Sequence, residues 1–177
     1  MIQPRLNFNC ISAIFLFQLT LLSCNSNSEK QKVFEDEYFP NGKIKTIVTT
    51  RGDSSKQVFG FDSVGNLTDM AMSKNSQMQG EHLWFYINGI LEQKTTYKFG
   101  KPNGYSYQYY PSGAIKSNRF LRNGLEQGFG LDYYDSPFGI AKSSLYFNDS
   151  GKIYYKQNFD ISGSLVNEEG EKPKSLQ

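Results

Sequence analysis

Along most of the chain, apolar and aromatic residues recur at every second position, and glycine interrupts them at a nearly constant interval. Six segments carry an aromatic residue four positions before a glycine and an Ile or Leu two positions after it. They are Tyr38/Gly42/Ile44, Phe61/Gly65/Leu67, Phe85/Gly89/Leu91, Tyr109/Gly113/Ile115, Phe147/Gly151/Ile153 and Phe159/Gly163/Leu165. A looser seventh, with two extra residues, surrounds Gly139. Successive glycines lie 23, 24, 24, 26, 12 and 12 residues apart, so the unit is about 24 residues and halves near the end. A fixed interval of this size marks a repeat architecture.

Within the unit the period is two. Counting on from Gly80, Gly104 and Gly128 by one, three and five gives Glu81, Leu83 and Phe85, then Tyr105, Tyr107 and Tyr109, then Phe129, Leu131 and Tyr133. Such positions share one face of an extended strand. No stretch keeps a 3.6-residue period. Asn41-Gly42, Asn88-Gly89, Asn103-Gly104 and Asn123-Gly124 supply the positive φ of tight hairpin turns, and Gly151 and Gly163 do so without a preceding Asn. Short turns make consecutive strands antiparallel neighbours.

The expected fold is therefore all-β: an elongated antiparallel meander of β-hairpin repeats forming a single twisted sheet. About eleven strands between roughly Val33 and Leu165 would give a ribbon on the order of 50 Å long. Nothing returns the chain to its first strand, which argues against a barrel. Doublets such as Phe85-Tyr86, Tyr109-Tyr110, Tyr133-Tyr134, Tyr146-Phe147 and Tyr154-Tyr155 would place one ring on each side. Cross-strand aromatic pairs worth about 0.2–1 kcal/mol each then support a sheet with little core.

The units YFPNGKI, FYINGIL followed by KFGKPNGYSYQYYPSGAI, and FLRNGLEQGFGLDYY resemble MORN-variant repeats. These are β-hairpin repeats of many bacterial envelope proteins and of a family of toxin–antitoxin antitoxins. The resemblance covers roughly residues 38–165, is strongest over 80–134 and degenerates around Ser54–Asn75. It implies a non-enzymatic interaction scaffold without cofactor.

The first 24 residues read differently. Residues 1–23 hold one basic residue, Arg5, no acidic one, and an apolar run centred on Ile11 to Leu22. That is the pattern of a secretory signal. It ends in Leu21-Leu22-Ser23-Cys24, which resembles the bacterial lipobox, in which the Cys is acylated and becomes the new N-terminus. The expected organisation is a lipoprotein signal over 1–23, lipidated Cys24 with a flexible polar tether to residue 33, repeats over 34–166 and a disordered polar tail over 167–177. Cys10 leaves with the signal, so Cys24 has no disulfide partner. Attachment would be to the bacterial cell envelope through the acyl chains of Cys24.

Composition narrows the function. Of 177 residues 38% are hydrophobic, 15% aromatic and 20% charged, with a formal net charge of +2. That is no polycation, which excludes nucleic acid as the partner class. The core should be thin, because about 40% of residues are apolar once Gly replaces Tyr in the count, against roughly 45–50% in ordinary domains.

Chemistry-bearing clusters are few. His82, the single His, has no partner suggested by spacing for metal binding or general-base work. Glu35-Asp36-Glu37 alternates faces on a strand and reads as a solvated start. Arg51-Gly52-Asp53 reads as a turn between strands, and Asp62-Ser63-Val64 resembles the short O-glycosylation motif of Bacteroidetes envelope proteins. No nucleophile elbow, P-loop or dinucleotide glycine pattern occurs. The candidate binding face is Leu83, Phe85, Tyr105, Tyr107, Tyr109, Phe129, Leu131 and Tyr133, offered to an envelope protein or polysaccharide. The alternative is an antitoxin or immunity protein that neutralises a toxin by contact.

Overall fold

The structure, a computed structural model, describes residues 32–176 apart from Gly52 and Ser54. The signal segment, Cys10, Cys24 and most of the tether lie outside the described residues. Fourteen strands follow in chain order: β1 Lys32–Tyr38, β2 Ile44–Thr50, β3 Lys56–Phe61, β4 Leu67–Lys74, β5 Gln77–Met78, β6 Gly80–Phe85 and β7 Leu91–Lys98. They continue as β8 Lys101–Tyr109, β9 Ile115–Arg122, β10 Leu125–Glu126, β11 Gly128–Tyr133, β12 Ala141–Phe147, β13 Ile153–Phe159 and β14 Leu165–Gly170. All belong to one antiparallel sheet whose spatial order is the chain order, with β5 and β10 as short extensions on β4 and β9. β1 and β14 each leave one flank unpaired, so the sheet is open, as the sequence predicts.

Two details differ from the sequence reading. The tail expected to be disordered contributes its first residues to β14, where Asn167, Glu168 and Glu169 pair with Asn158, Gln157 and Lys156. An edge strand needs one paired side, and its charged side chains stay solvated on the other. Asn103-Gly104 is not a hairpin turn. It lies inside β8, where pairing with β7 slips from Thr95↔Ser106 to Tyr97↔Pro102, and the turn falls at Phe99-Gly100 instead.

That slip is one of three. Gly80 follows Gln79 between β5 and β6, and Gly128 follows Gln127 between β10 and β11. At all three glycines φ is positive, and extra residues on one strand oppose fewer on its partner. This is β-bulge geometry, and Gly relieves the left-handed residue that it requires. The submotif that begins at Gly80, Gly104 and Gly128 is thus a recurring bulge.

The turns fall on two edges of the sheet. On one edge, turns over 39–43, 62–66, 86–90, 110–114 and 160–164 share one pattern, together with a longer loop over 134–140. In each of the five, the first residue's N–H donates to the carbonyl four residues on, and the glycine N–H donates back to the first carbonyl. On the other edge, Asn75-Ser76, Phe99-Gly100 and Asn123-Gly124 are two-residue turns with both residues at positive φ. The turn over 148–152 adopts the five-residue pattern of the first edge. The 12-residue spacing near the end therefore reflects glycine turns on both edges, and the hairpin unit itself does not shorten.

Burial is thin, as composition requires. Leu145, Phe147 and Tyr155 are the buried hydrophobic side chains among the described residues. Register divides them, because Leu145 shares a face with Gly130 and Lys156, whereas Tyr155 lies opposite Tyr146 on the other. Both faces thus contribute to cohesion and neither is sealed.

Candidate functional site

Residues directly opposite in an antiparallel ladder share a face, so the register gives the composition of each side. One row runs Met70, Leu83, Lys94, Tyr107, Asn118, Leu131, Ser144, Gln157 and Glu168. Tyr105 opposite Phe120 and Phe129 opposite Tyr146 lie on the same side, each two residues from a member of this row on its own strand. Phe85, Tyr109 and Tyr133 follow Leu83, Tyr107 and Leu131 by two on the same strands, and are half-buried at the strand ends. All eight candidate residues of the sequence reading therefore share one side.

The rings on that side gather in two clusters, one around Tyr105 and one around Tyr146. Tyr105 lies 6.0 Å from Tyr107 and edge-on to Phe120 at 5.4 Å, and Phe129 meets Tyr146 edge-on at 5.1 Å. Both Tyr154 and Tyr155 lie against Tyr146, at 6.3 and 5.5 Å, so this doublet does not split evenly across the sheet. The register shift between β12 and β13 at this point explains it. Tyr105 is 58% exposed and Phe129 48%, whereas the other six candidate residues are half-buried. Tyr107 is held more tightly, with the Lys94 ammonium 5.7 Å over its ring.

The opposite side is polar. Its central row runs Asp69, Trp84, Gln93, Gln108, Ser117, Asp132, Ser143, Asn158 and Asn167. The Arg119 guanidinium donates to Asp132 at 2.5 Å and to the Leu131 carbonyl at 2.8 Å, and Ser143 donates to Asp132 at 2.9 Å. Thr95 and Ser106 hydrogen-bond at 2.8 Å, both buried. Sequence reasoning missed this side, because Ser, Gln and Asn at alternate positions look like plain solvated residues until register aligns them.

His82 has a partner after all. Asp69, thirteen residues upstream, approaches its Nε2 at 3.4 Å, and the imidazole stacks on Trp84 at 3.7 Å. Burial holds the imidazole below its ordinary pKa against the opposing pull of Asp69, so the ring stays neutral near pH 7. Among the described residues no group of three or more His, Cys, Asp or Glu could hold a metal. Asp36 and Glu37 pair with Ile47 and Thr46 on alternate faces, and Glu37 meets Lys45 at 3.2 Å. Ser63 is exposed in the turn over 62–66, where Asp62 Oδ1 accepts the N–H groups of Val64, Gly65 and Asn66. Asp53 accepts from Ser55 and Lys74, while Gly52 lies outside the described residues.

The repeats are joined to each other along the first turn edge. The Tyr86 hydroxyl donates to the Tyr109 carbonyl at 2.7 Å, Tyr110 to Tyr133 at 2.9 Å and Tyr134 to Phe159 at 2.8 Å. In these three doublets the second ring thus fastens its turn to the next turn on that edge. Asn41 reaches the Ser63 carbonyl in the same manner at 2.8 Å.

The MORN repeat variant matches residues 78–99, which run from the bulge through β6, the turn over 86–90 and β7 to Phe99. That is one whole hairpin, and the next one repeats it with the same bulge, turn and tyrosine. This hairpin is a MORN repeat variant. No curated protein matches it. Among solved structures, this repeat protein is similar to the glycosylation associate protein complex from Streptococcus agalactiae, at 19% identity and a TM-score of 0.39, over 67% of this chain and 21% of that one. It is also similar to S. aureus TarM, at 12% identity and a TM-score of 0.41, over 65% and 23%. The accessory secretory protein 1, 2 and 3 structure from Streptococcus pneumoniae is similar at 15% identity and a TM-score of 0.39, over 62% and 20%. The repeat protein spans about a fifth of the length of these chains.

Proposed function

We propose that this MORN-variant protein is a lipid-anchored scaffold of the bacterial envelope, without enzymatic activity, that docks an envelope component on its aromatic side. The observation that carries the reading is the pair Tyr105 and Phe129, 58% and 48% exposed on a sheet side that no second layer of the described residues covers. Large rings left in water on a continuous face are characteristic of interaction surfaces. Leu21-Leu22-Ser23-Cys24 supports the anchor, and the polar segment after Cys24 would hold the sheet clear of the bilayer.

Two measurements test the two halves. Expressed in a bacterium with a labelled fatty-acid analogue, wild type should take label and Cys24→Ala should not; label on the mutant ends the anchor reading. For docking, Tyr105→Ala with Phe129→Ala should release envelope components retained by wild type while the melting temperature holds. Retention unchanged in that double variant would remove the aromatic side as the docking surface. Tyr107→Ala should lower the melt, because its half-buried ring ties three strands together.

A further inference from the structure

The polar side is hollowed over β7 to β13 into a groove of about 560 Å³. Its floor closes on itself. Gln108 accepts from Ser117 at 3.2 Å, Asp132 accepts from Ser143, and Thr95 pairs with Ser106. The groove's two carboxylates, Glu126 and Asp132, are both engaged by Arg119, at 3.6 and 2.5 Å. Three lining cations remain: Lys116, Lys142 and Lys156. None makes an ion pair among the described residues, and Lys116 and Lys142 rest only over the rings of Tyr110 and Tyr134, each at 5.9 Å.

We infer that this groove binds an acidic polysaccharide, on a surface distinct from the aromatic side. Three ammonium groups outside any ion pair among the described residues, with Glu169 across the ladder from Lys156 as a cross-strand carboxylate, favour an anion. The floor offers hydroxyls and amides, which donate and accept as sugar hydroxyls do. Leu121 is the one aliphatic side chain in the lining, so a peptide would find little apolar pocket to anchor in. A nucleic acid would need open stacking rings; of the two lining tyrosines, Tyr110 is tied through its hydroxyl to the Tyr133 carbonyl with Lys116 over its face, and the Tyr133 hydroxyl accepts from Asn118 at 3.4 Å. A glycan with carboxylates at intervals meets the lysines with its charges and the floor with its hydroxyls.

The test is calorimetric titration of the full chain with alginate oligosaccharide, neutral dextran of equal length and poly-glutamate, at low and high salt. Alginate alone should bind, and weaken about tenfold or more as salt screens the lysines. Lys142→Glu with Lys156→Glu should lose at least about tenfold at an unchanged melt; if that pair melts lower, Lys142→Gln with Lys156→Gln should show the same loss. Lys45→Gln with Lys101→Gln, two exposed lysines outside the groove, should bind as wild type, which ties the loss to the groove's own lysines. No alginate binding, equal binding by poly-glutamate or dextran, or full binding by the glutamine pair would each overturn the inference.

Discussion

Along one turn edge the hairpins are fastened by side chains; along the other, two backbone bonds accompany side-chain links such as Lys74 to Asp53 and Gln127 to the Asp149 carbonyl. On the first edge the links are the hydroxyls of Tyr86, Tyr110 and Tyr134 and the amide of Asn41. On the second, the Gly100 N–H donates to the Met78 carbonyl and the Gly124 N–H to the Pro102 carbonyl, both at 2.8–2.9 Å. A side-chain link demands the same residue in every unit, whereas a backbone link accepts whatever residue presents its N–H in place. The first edge accordingly repeats its tyrosine in three successive turns, at 86, 110 and 134, while Asp62 and Asp160 take the same place in two others. The second edge fills three equivalent turns with Asn-Ser, Phe-Gly and Asn-Gly.

Breaking a first-edge turn should cost the most. At Gly113 an added Cβ would meet only Ile90, at 3.9 Å, so the penalty of Gly113→Val comes from φ +87 and not from a clash. A loss of roughly 1–3 kcal/mol in denaturant unfolding is expected, against less than about 0.5 for Lys116→Ala. Equal shifts in the two variants would refute the turn assignment.

The next effect isolates one link. Tyr110→Phe deletes only the bond to the Tyr133 carbonyl and should destabilise by about 0.5–1.5 kcal/mol, while Phe99→Leu on the other edge, whose ring is 69% exposed, should be near neutral. If Tyr110→Phe is also neutral, the first edge is not held by its tyrosines.

On the second edge the sign should reverse. Phe99 carries φ 52, a conformation that costs a bulky residue about 1 kcal/mol, and the equivalent place in the next hairpin holds Asn123 at the same φ. Phe99→Asn should therefore raise stability by up to about 1 kcal/mol, and a drop in melting temperature would contradict the equivalence of the two turns.

The smallest difference is one of acid response. Asp160 on the first edge and Asn148 on the second cap turns of the same pattern through Oδ1. The Ser162 hydroxyl, then the Ser164 N–H, hold the Asp160 carboxyl below its ordinary value. A depressed carboxyl contributes stability above its unfolded pKa of 3.8 and loses it as pH falls through the folded value. Asp160→Asn should flatten the acid limb of the melting profile and leave pH 7 almost unchanged. An identical acid limb would show that the Asp160 cap does not depend on charge.

The strands, their order and the aromatic side were legible because period two and the 24-residue interval survive without any tertiary context. The bulges were not. Asn103-Gly104 and Asn123-Gly124 look alike in sequence, since Gly answers a demand for positive φ whether a turn or a bulge makes it. Asn75-Ser76 turns the chain with no glycine to announce it. The polar groove needed register, because Gln93 and Asn158 become neighbours of one floor only after six strands are aligned. The tyrosine links were hidden for a related reason: the doublets were visible, but the carbonyl that each hydroxyl seeks lies 23 to 25 residues away.

An open sheet of stacked, nearly identical hairpins is a template for unlimited growth, since each free flank repeats the hydrogen-bonding pattern of an interior strand. Here the two outermost strands carry like charge. Exposed Asp36 and Glu37 lie on β1, and exposed Glu168 and Glu169 on β14. Bringing the last strand of one molecule beside the first strand of another sets carboxylates against carboxylates, with no lysine of either strand's described side chains between them. That like-charge pairing opposes end-to-end growth of the sheet from one molecule into the next.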